Sequence, residues 1–452
     1  MKIIIVGCGK IGVTLISSLS AEGHDVVAID NNAATVAEIT NTYDVMSVCG
    51  NGVDCETLIE ADVEKAELVV STTGSDELNM LCCFMARKLG AKHAIARIRN
   101  PEFSDRSLKF MRHQLNLSLA INPEYLAAQE IFSLLKFPSA AKIETFSGRN
   151  FEIVELPLKE DSKLIGMSLS ELRKKYKANF LVCAVHRGED VYIPSGNFVL
   201  EAGDKIGITA SPAEMHKFFK MLDIMKKQAR SVMILGASKT AVYLAKMLLS
   251  IGASVKIIDN DRERCHEVSD AIPGAVVIWG DGAQQEIMLE EGIGSVDGFV
   301  SLTGMDEQNI LISLLAQSQN VPKVITKVNR EEFMDMATKL GLDCMVSPKH
   351  LVSDILVRYA RALHNSLDSK MEKLYKLMDG KVEALEFNIG NDCPIINIPL
   401  RDMEFKDNIL IAGILRGRKP IIPSGNDMLL PDDKVVVLAA GLRINDLTDI
   451  MR

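Results

Sequence analysis

Two kinds of apolar pattern alternate along the first third of the chain. Lys2–Val6, Asp25–Ile29, Asp44–Val48, Glu67–Ser71 and Lys92–Ile98 are short runs rich in Val, Ile and Ala, and each predicts a buried strand. Between them, apolar residues recur every three or four positions. In the first such stretch Val13, Ile16 and Leu19 share one helical face, and Gly23 follows as a stop signal. Strands separated by helical patterns predict βαβ units, hence a parallel sheet covered on both faces. Residues 124–137 add a further amphipathic helix with Leu126, Ile131, Leu134 and Leu135 on its apolar stripe. Such a stripe serves either a helix lying on its own domain or a crossover helix that pairs two domains.

The pattern then changes. From Phe151 the residues alternate as in a half-buried strand, SLSELRKKY reads as a short helix, and LVCAVHRG and VYIPSGNFVL read as strands. This predicts a small α+β unit. Its turns at Pro194, Ser195, Gly196 and Asn197 and at Ala202, Gly203 and Asp204 read as hairpin turns rather than ligand loops.

The whole arrangement occurs twice. KIIIVGCGKIG returns as SVMILGASKTA, so that Gly7 recurs as Gly236, 229 positions on, and Asp30 recurs as Asp259 at the same offset. STTGSDELN matches SLTGMDEQN, setting Thr73 and Gly74 against Thr303 and Gly304. ARIRN matches TKVNR, setting Arg97 against Lys327, and RGEDVYIPSGN matches RGRKPIIPSGN. A near-constant offset over so many segments means duplication of half the chain. The expected architecture is α/β: two Rossmann-like doubly wound parallel-sheet domains, each followed by a small α+β domain. Their expected bounds are 1–140, 141–225, 231–365 and 366–452, with KKQAR (226–230) joining the halves.

Composition narrows the functions. The 452 residues carry a net charge of −9, and only 5% are aromatic, which argues against a nucleic-acid partner. Nine scattered cysteines form no CxxC pair and read as reduced thiols, and the eight histidines make no zinc pattern. No apolar run of about 18 residues is present, so any pore would have to come from another chain.

The chemistry sits at the strand ends. Gly7-Cys8-Gly9-Lys10-Ile11-Gly12 is a G-x-G-x-x-G that closes a strand and opens a helix. In that setting Gly7 allows the tight turn, Gly9 the close approach of a pyrophosphate and Gly12 tight helix–strand packing. The helix N-terminus then faces the phosphates. Asp30, at the tip of the second strand, suits a ribose 2′-OH and repels a 2′-phosphate, which favours NAD(H). Thr73 and Gly74 end the fourth strand, where a doubly wound sheet opens to ligand. Arg97 ends the fifth, placed to meet a pyrophosphate or a neighbouring chain, while Asp76 and Glu77 begin a helix. In the second half Gly236, Lys239, Asp259, Thr303 and Gly304 persist, but Ser238 and Ala241 stand where Gly9 and Gly12 stood and Lys327 replaces Arg97. Weaker dinucleotide binding, or a preference for a mononucleotide, is expected there. No acid–base motif of a dehydrogenase accompanies either fingerprint, which leaves a soluble NAD-dependent oxidoreductase as the competing reading.

Taken together, the KIIIVGCGKIG start, Asp30, STTGSDELN, ARIRNPEF, the RGEDVYIPSGN turn and the duplication resemble the TrkA family. Its members are cytosolic subunits of Trk-type potassium uptake systems built from two RCK (or KTN) units. The resemblance spans the chain. It implies a non-catalytic regulator, a homo-oligomeric ring (a tetramer) docked under a membrane-embedded potassium transporter at the inner face of the cell membrane. It also implies NAD(H) as ligand, with ATP and ADP beside it. Carried over residue by residue, Gly7, Cys8, Gly9, Lys10, Ile11, Asp30, Thr73, Gly74 and Arg97 match the family's dinucleotide contacts.

Overall fold

The computed structural model describes all residues except 101–104, 138–139, 147–150, 177–178, 225–227, 365–368 and 379. Pro101, Glu102 and Phe103 of the ARIRNPEF segment and the first two residues of KKQAR therefore lie outside the described residues.

The first sheet contains β1 (Lys2–Val6), β2 (Asp25–Asp30), β3 (Met46–Cys49), β4 (Leu68–Ser71), β5 (His93–Arg97) and β6 (Leu119–Ile121). All pairs are parallel in the order β3-β2-β1-β4-β5-β6, so the chain reverses its winding between β1 and β4. Helices α1 (Lys10–Ala21), α2 (Ala33–Thr42), α3 (Cys55–Glu60), α4 (Asp76–Lys88) and α5 (Asp105–Gln114) connect the strands, and α6 (Pro123–Lys136) leaves the sheet. The five strands read from apolar runs are present with ends shifted by up to two residues. The three-residue β6 is too short to leave a periodic signal.

An antiparallel sheet follows, from β7 (Lys142–Phe146), β8 (Phe151–Pro157), β9 (Phe180–Arg187), β10 (Asp190–Tyr192) and β11 (Lys205–Ala210), with helices α7 (Leu169–Tyr176) and α8 (Pro212–Leu222).

The second half repeats both layers. Parallel strands β12 (Ser231–Leu235), β13 (Ser254–Asp259), β14 (Val276–Trp279), β15 (Gly298–Ser301), β16 (Lys323–Lys327) and β17 (Met345–Val346) are joined by α9 (Lys239–Ser250), α10 (Arg262–Ala271), α11 (Gln285–Glu290), α12 (Asp306–Ser318) and α13 (Glu331–Lys339). Then come α14 (Pro348–His364) and the antiparallel strands β18 (Ser369–Leu377), β19 (Val382–Ile389), β20 (Ile409–Arg416), β21 (Lys419–Ile421) and β22 (Lys434–Ala440). Where the first small domain has α7 and α8, this one has single 3₁₀ turns, Leu400–Asp402 and Leu447–Ile450.

The extra helices decide how the halves fit. Asn122 caps α6 by accepting from the Tyr125 N–H, and Pro123 opens the first turn. Ala127, Ala128, Ile131, Leu134 and Leu135 enter the core of the second unit, beside Val232, Ile234, Ala241 and Leu244. Reciprocally, Val352, Leu356, Val357 and Ala360 of α14 complete the first unit's core against Ile3, Ile5, Leu15 and Ile16. The helix over 124–137 is thus the crossover alternative. Leu126, read as part of the same stripe, packs instead against the first unit's core, because α6 lies between both.

The small domains also share a core, in which Phe146, Phe151 and Cys183 pack with Leu377, Val382, Leu438 and Ala412. Equivalent ion pairs brace the turns that lead into β11 and β22. Buried Asp204 receives Arg187 at 2.7 and 2.8 Å, and Asp433 receives Arg416 at 3.0 and 2.8 Å. One ion-pair cluster ties the first large domain to the last small one. Arg361 on α14, only 3% exposed, donates at 2.8 Å to Glu22, at the end of α1, and at 2.8 Å to Glu383 on β19, while Arg443 donates to the Ala21 carbonyl at 2.7 Å.

Candidate nucleotide site

The turn after β1 is shaped by what lies behind it. Gly7 has φ +89° and its N–H donates to the Ile29 carbonyl at 2.8 Å. A Cβ there would sit 2.8 Å from the Thr73 nitrogen, so glycine is required both by the left-handed backbone and by the end of β4. A Cβ on Gly12 would meet the Gly7 carbonyl oxygen at 2.1 Å. Gly9 is different, since a Cβ on it would reach no atom within 4 Å. It faces open space at the start of α1, and no side chain caps that helix. An uncapped N-terminal turn with room in front of it is what a phosphate needs. Lys10 and Ile11 are the first two residues of α1. Cys8 is buried, with its thiol pushed up to about 12 by burial and by the neighbouring Asp30 charge, so it stays protonated and inert.

Asp30 stands beside this loop. One of its oxygens accepts from the Cys8 N–H at 2.7 Å and the other from the Asn32 N–H at 2.9 Å. Each carboxylate oxygen has a second acceptor direction left for a ribose hydroxyl. Thr73 and Gly74 lie across the switch point, held by a residue that the sequence reading passed over. Asn79 is fully buried. Its Oδ1 accepts from Ser71 Oγ at 2.9 Å and from the Thr73 N–H and hydroxyl at 2.7 Å each, and its Nδ2 donates to the Arg97 carbonyl at 2.9 Å. The available signal was its recurrence as Asn309, 230 positions on, inside both Thr-Gly segments. Asp76 does begin a helix, and its carboxylate also accepts the Arg99 and Asn100 N–H groups at 2.8 Å each. Arg97 turns away from the glycine loop to Glu124 at the start of α6, at 3.2 Å. Burial pulls its pKa down, Glu124 opposes that, and its Nε is buried with no hydrogen-bond partner.

The second unit copies this frame. Gly236 has φ +98° and would clash with Thr303 at 2.9 Å if it bore a Cβ. Asp259 accepts from the Ala237 N–H at 2.6 Å and the Asp261 N–H at 2.8 Å. Asn309 holds Thr303 as Asn79 holds Thr73, with Gly304 next in line. Lys239 opens α9, and Lys327 points at the Leu302 carbonyl, 3.4 Å away, its pKa lowered by burial. The difference is Ser238. Its hydroxyl turns back to accept the Ala241 N–H, occupying one of the N-terminal donors that remain free in α1. Beyond the steric crowding read from sequence, the second unit therefore spends a phosphate donor on its own cap.

The two frames face each other. A cavity of about 790 Å³ lies between Cys8, Gly9 and Lys10 of the first unit and Gly304, Met305 and Arg330 of the second. On the opposite side Tyr243 of α9 donates to the Arg99 carbonyl at 3.3 Å and receives the Asn122 amide at 2.9 Å. Among the described residues no group of three or more His, Cys, Asp or Glu side chains could hold a metal ion, and no helix is long and apolar enough to cross a membrane. Gly7→Ala is expected to lower thermal stability by at least the roughly 1–2 kcal/mol that a left-handed L-residue costs, and to displace Thr73. Differential scanning calorimetry that finds the variant as stable as the parent would contradict that account.

Fold and site together define a duplicated dinucleotide-fold protein with paired accessory domains. The TrkA-N domain family matches residues 3–120 and 232–348, and the TrkA-C domain family matches 153–223 and 384–452. The chain belongs to the TrkA family. It is 30% identical over 452 residues to a Trk system potassium uptake protein TrkA homolog of Archaeoglobus fulgidus, covering 100% of both chains. It is 29% identical to the Trk system potassium uptake protein TrkA of Vibrio alginolyticus over 443 residues, covering 97% of this chain and 95% of that one. Among solved structures, the GsuK RCK domain shares the fold at a TM-score of 0.65 and 17% identity, over 97% of this chain and 92% of that one. A GsuK channel bound to NAD matches at 0.64 and 16%, over 97% and 77%.

Proposed function

We propose that this chain is a non-catalytic regulatory subunit of a Trk-type potassium uptake system, one that binds NAD(H) in its first unit. The observation that carries the reading is the open, uncapped start of α1 at Gly9, with Asp30 beside it. The names of its relatives and the NAD-bound and ADP-bound GsuK structures of the same fold support it. Gly7, Cys8, Gly9, Lys10, Ile11, Asp30, Thr73 and Gly74 would hold the dinucleotide, with Arg97 released from Glu124 to reach it. The second unit, through Gly236, Ser238, Lys239, Asp259, Thr303, Gly304 and Lys327, would take ATP or ADP. The four domain bounds expected from sequence remain part of this reading.

The chain would work in the cytoplasm on the inner face of the membrane, docked to a potassium-transporting subunit. A homotetrameric ring is supported by exposed apolar residues at matching positions of both units, Leu81 with Leu311, and by exposed Phe110 and Leu340. Nucleotide would bias the ring only by binding one shape better, and a tenfold bias needs about 1.4 kcal/mol of differential affinity. Light scattering should report a mass near four times the 49.6 kDa chain. A monomer at micromolar concentration would overturn the ring.

Asp30→Ala is expected to weaken NADH binding by about 1.5–3 kcal/mol, the scale of a hydrogen bond to a charged group. Calorimetry on the full chain is the measurement, and unchanged affinity would remove Asp30 from the site. Constant nicotinamide absorbance during incubation is the expected result for a non-enzyme.

A further inference from the structure

The second unit differs from the first at one more place. Trp279 is the sole tryptophan of the chain and ends β14. It is the direct register partner of Asp259 on β13, so the indole and the ribose-binding carboxylate stand side by side at the carboxyl ends of adjacent strands. The ring is 62% exposed yet held in place. Its Nε1 donates to the Asn260 carbonyl at 3.0 Å, which lays the indole against the loop leaving Asp259, and the Arg262 guanidinium lies 5.4 Å from the ring centroid. In the first unit the partner of Asp30 is Cys49, and Ala33 stands where Arg262 does. Neither of those two residues is aromatic.

A base is bonded to the ribose whose hydroxyls a carboxylate at this strand end binds. The surface beside Asp259 is therefore where the base of a bound nucleotide must lie. An exposed indole whose position is fixed by a hydrogen bond and by a cation is a stacking surface with little freedom left to lose. The unit that spends a phosphate donor on Ser238 and crowds the pyrophosphate approach is the one that carries this platform. Loss of grip on a bridged diphosphate is offset by grip on one base.

We propose that Trp279, flanked by Arg262, is the base-stacking residue of the second unit, and that this unit's ligand is a purine nucleoside phosphate rather than a dinucleotide. This rests on the reading above that the second unit binds a nucleotide through Asp259. Stacking recognises the face of the ring and not its edge, so it selects nucleotides carrying one good stacking base without separating adenine from guanine.

The sole tryptophan is also the reporter. In the full chain carrying Asp30→Ala to weaken the first unit, ADP is expected to change indole fluorescence saturably, with the same midpoint that calorimetry finds for the second unit. Trp279→Phe should stay within a few-fold of that affinity, and Trp279→Ala should lose roughly 5- to 100-fold, the scale of one stacked base. Unchanged ADP affinity in Trp279→Ala overturns the stacking role while leaving nucleotide binding by the second unit intact. If calorimetry shows one ADP-free second unit in the Asp30→Ala chain, nucleotide binding there fails and this inference with it. Indole emission that tracks protein concentration and ignores ADP would assign Trp279, with its exposed neighbour Val276, to a contact between chains instead.

Discussion

Arg361→Met is expected to lower the unfolding free energy by about 3–5 kcal/mol, the cost of leaving buried charges without their partner. The arginine is nearly inaccessible and its two terminal nitrogens and Nε reach both Glu22 and Glu383. Methionine would fill much of the volume but strand two carboxylates. Burial alone pushes Glu22 up, but the hydrogen bonds and charge of Arg361, with Arg443 and Lys376, bring it below its usual range. A carboxylate depressed in the folded state contributes stability above its unfolded pKa, and that contribution is lost as pH falls through the folded one. In Arg361→Met the lowering due to Arg361 is lost, so the deficit grows as pH rises from about 4 toward neutrality. Denaturant titrations of parent and variant at pH 4 and pH 8 test this, and a deficit larger at pH 4 would refute it. Adding Glu22→Gln and Glu383→Gln should recover a substantial part of the loss. In the other half Lys136 and Ile251 occupy the places of Arg361 and Glu22.

Separating the halves should have a comparably large effect. Residues 1–225 alone would expose Ile131, Leu134 and Leu135, and would leave the first core without Val352, Leu356 and Val357. Burying one such side chain contributes about 1.5–3 kcal/mol, so losing either set costs on the order of 5–9 kcal/mol. That matches the whole stability of an ordinary domain, about 5–15 kcal/mol. Helices α6 and α14 fill equivalent positions, so two copies of the first half can satisfy each other by exchanging α6. The expected product is a homodimer of 1–225 by light scattering. A well-folded monomer at micromolar concentration would show that the exchange is dispensable. For the same reason the affinities of the two nucleotide units have to be compared in the full chain.

The parallel sheets, the duplication and the glycine turns followed from the residues alone. Apolar runs with no polar face can only be central strands, and Gly7 and Gly236 do adopt positive φ. The sequence also marked Asp30 and Asp259, because a carboxylate at that strand tip has few structural reasons to be there. The roles of Asn79 and Asn309 were decided by tertiary structure, since a buried amide announces itself only through its partners. So was the direction of Ser238. Sequence tells that a side chain replaces a hydrogen, but only the fold shows its hydroxyl folded back on the Ala241 N–H. The partner of α6 was undecidable from its stripe. An apolar face specifies that something must cover it and not which half of a duplicated chain supplies the cover. Arg97 went to Glu124 because β6 pairs with β5, setting Ile121 opposite Arg97, and α6 begins just beyond it. Periodicity reports what each segment must bury. Which segment buries it is a property of the assembled chain.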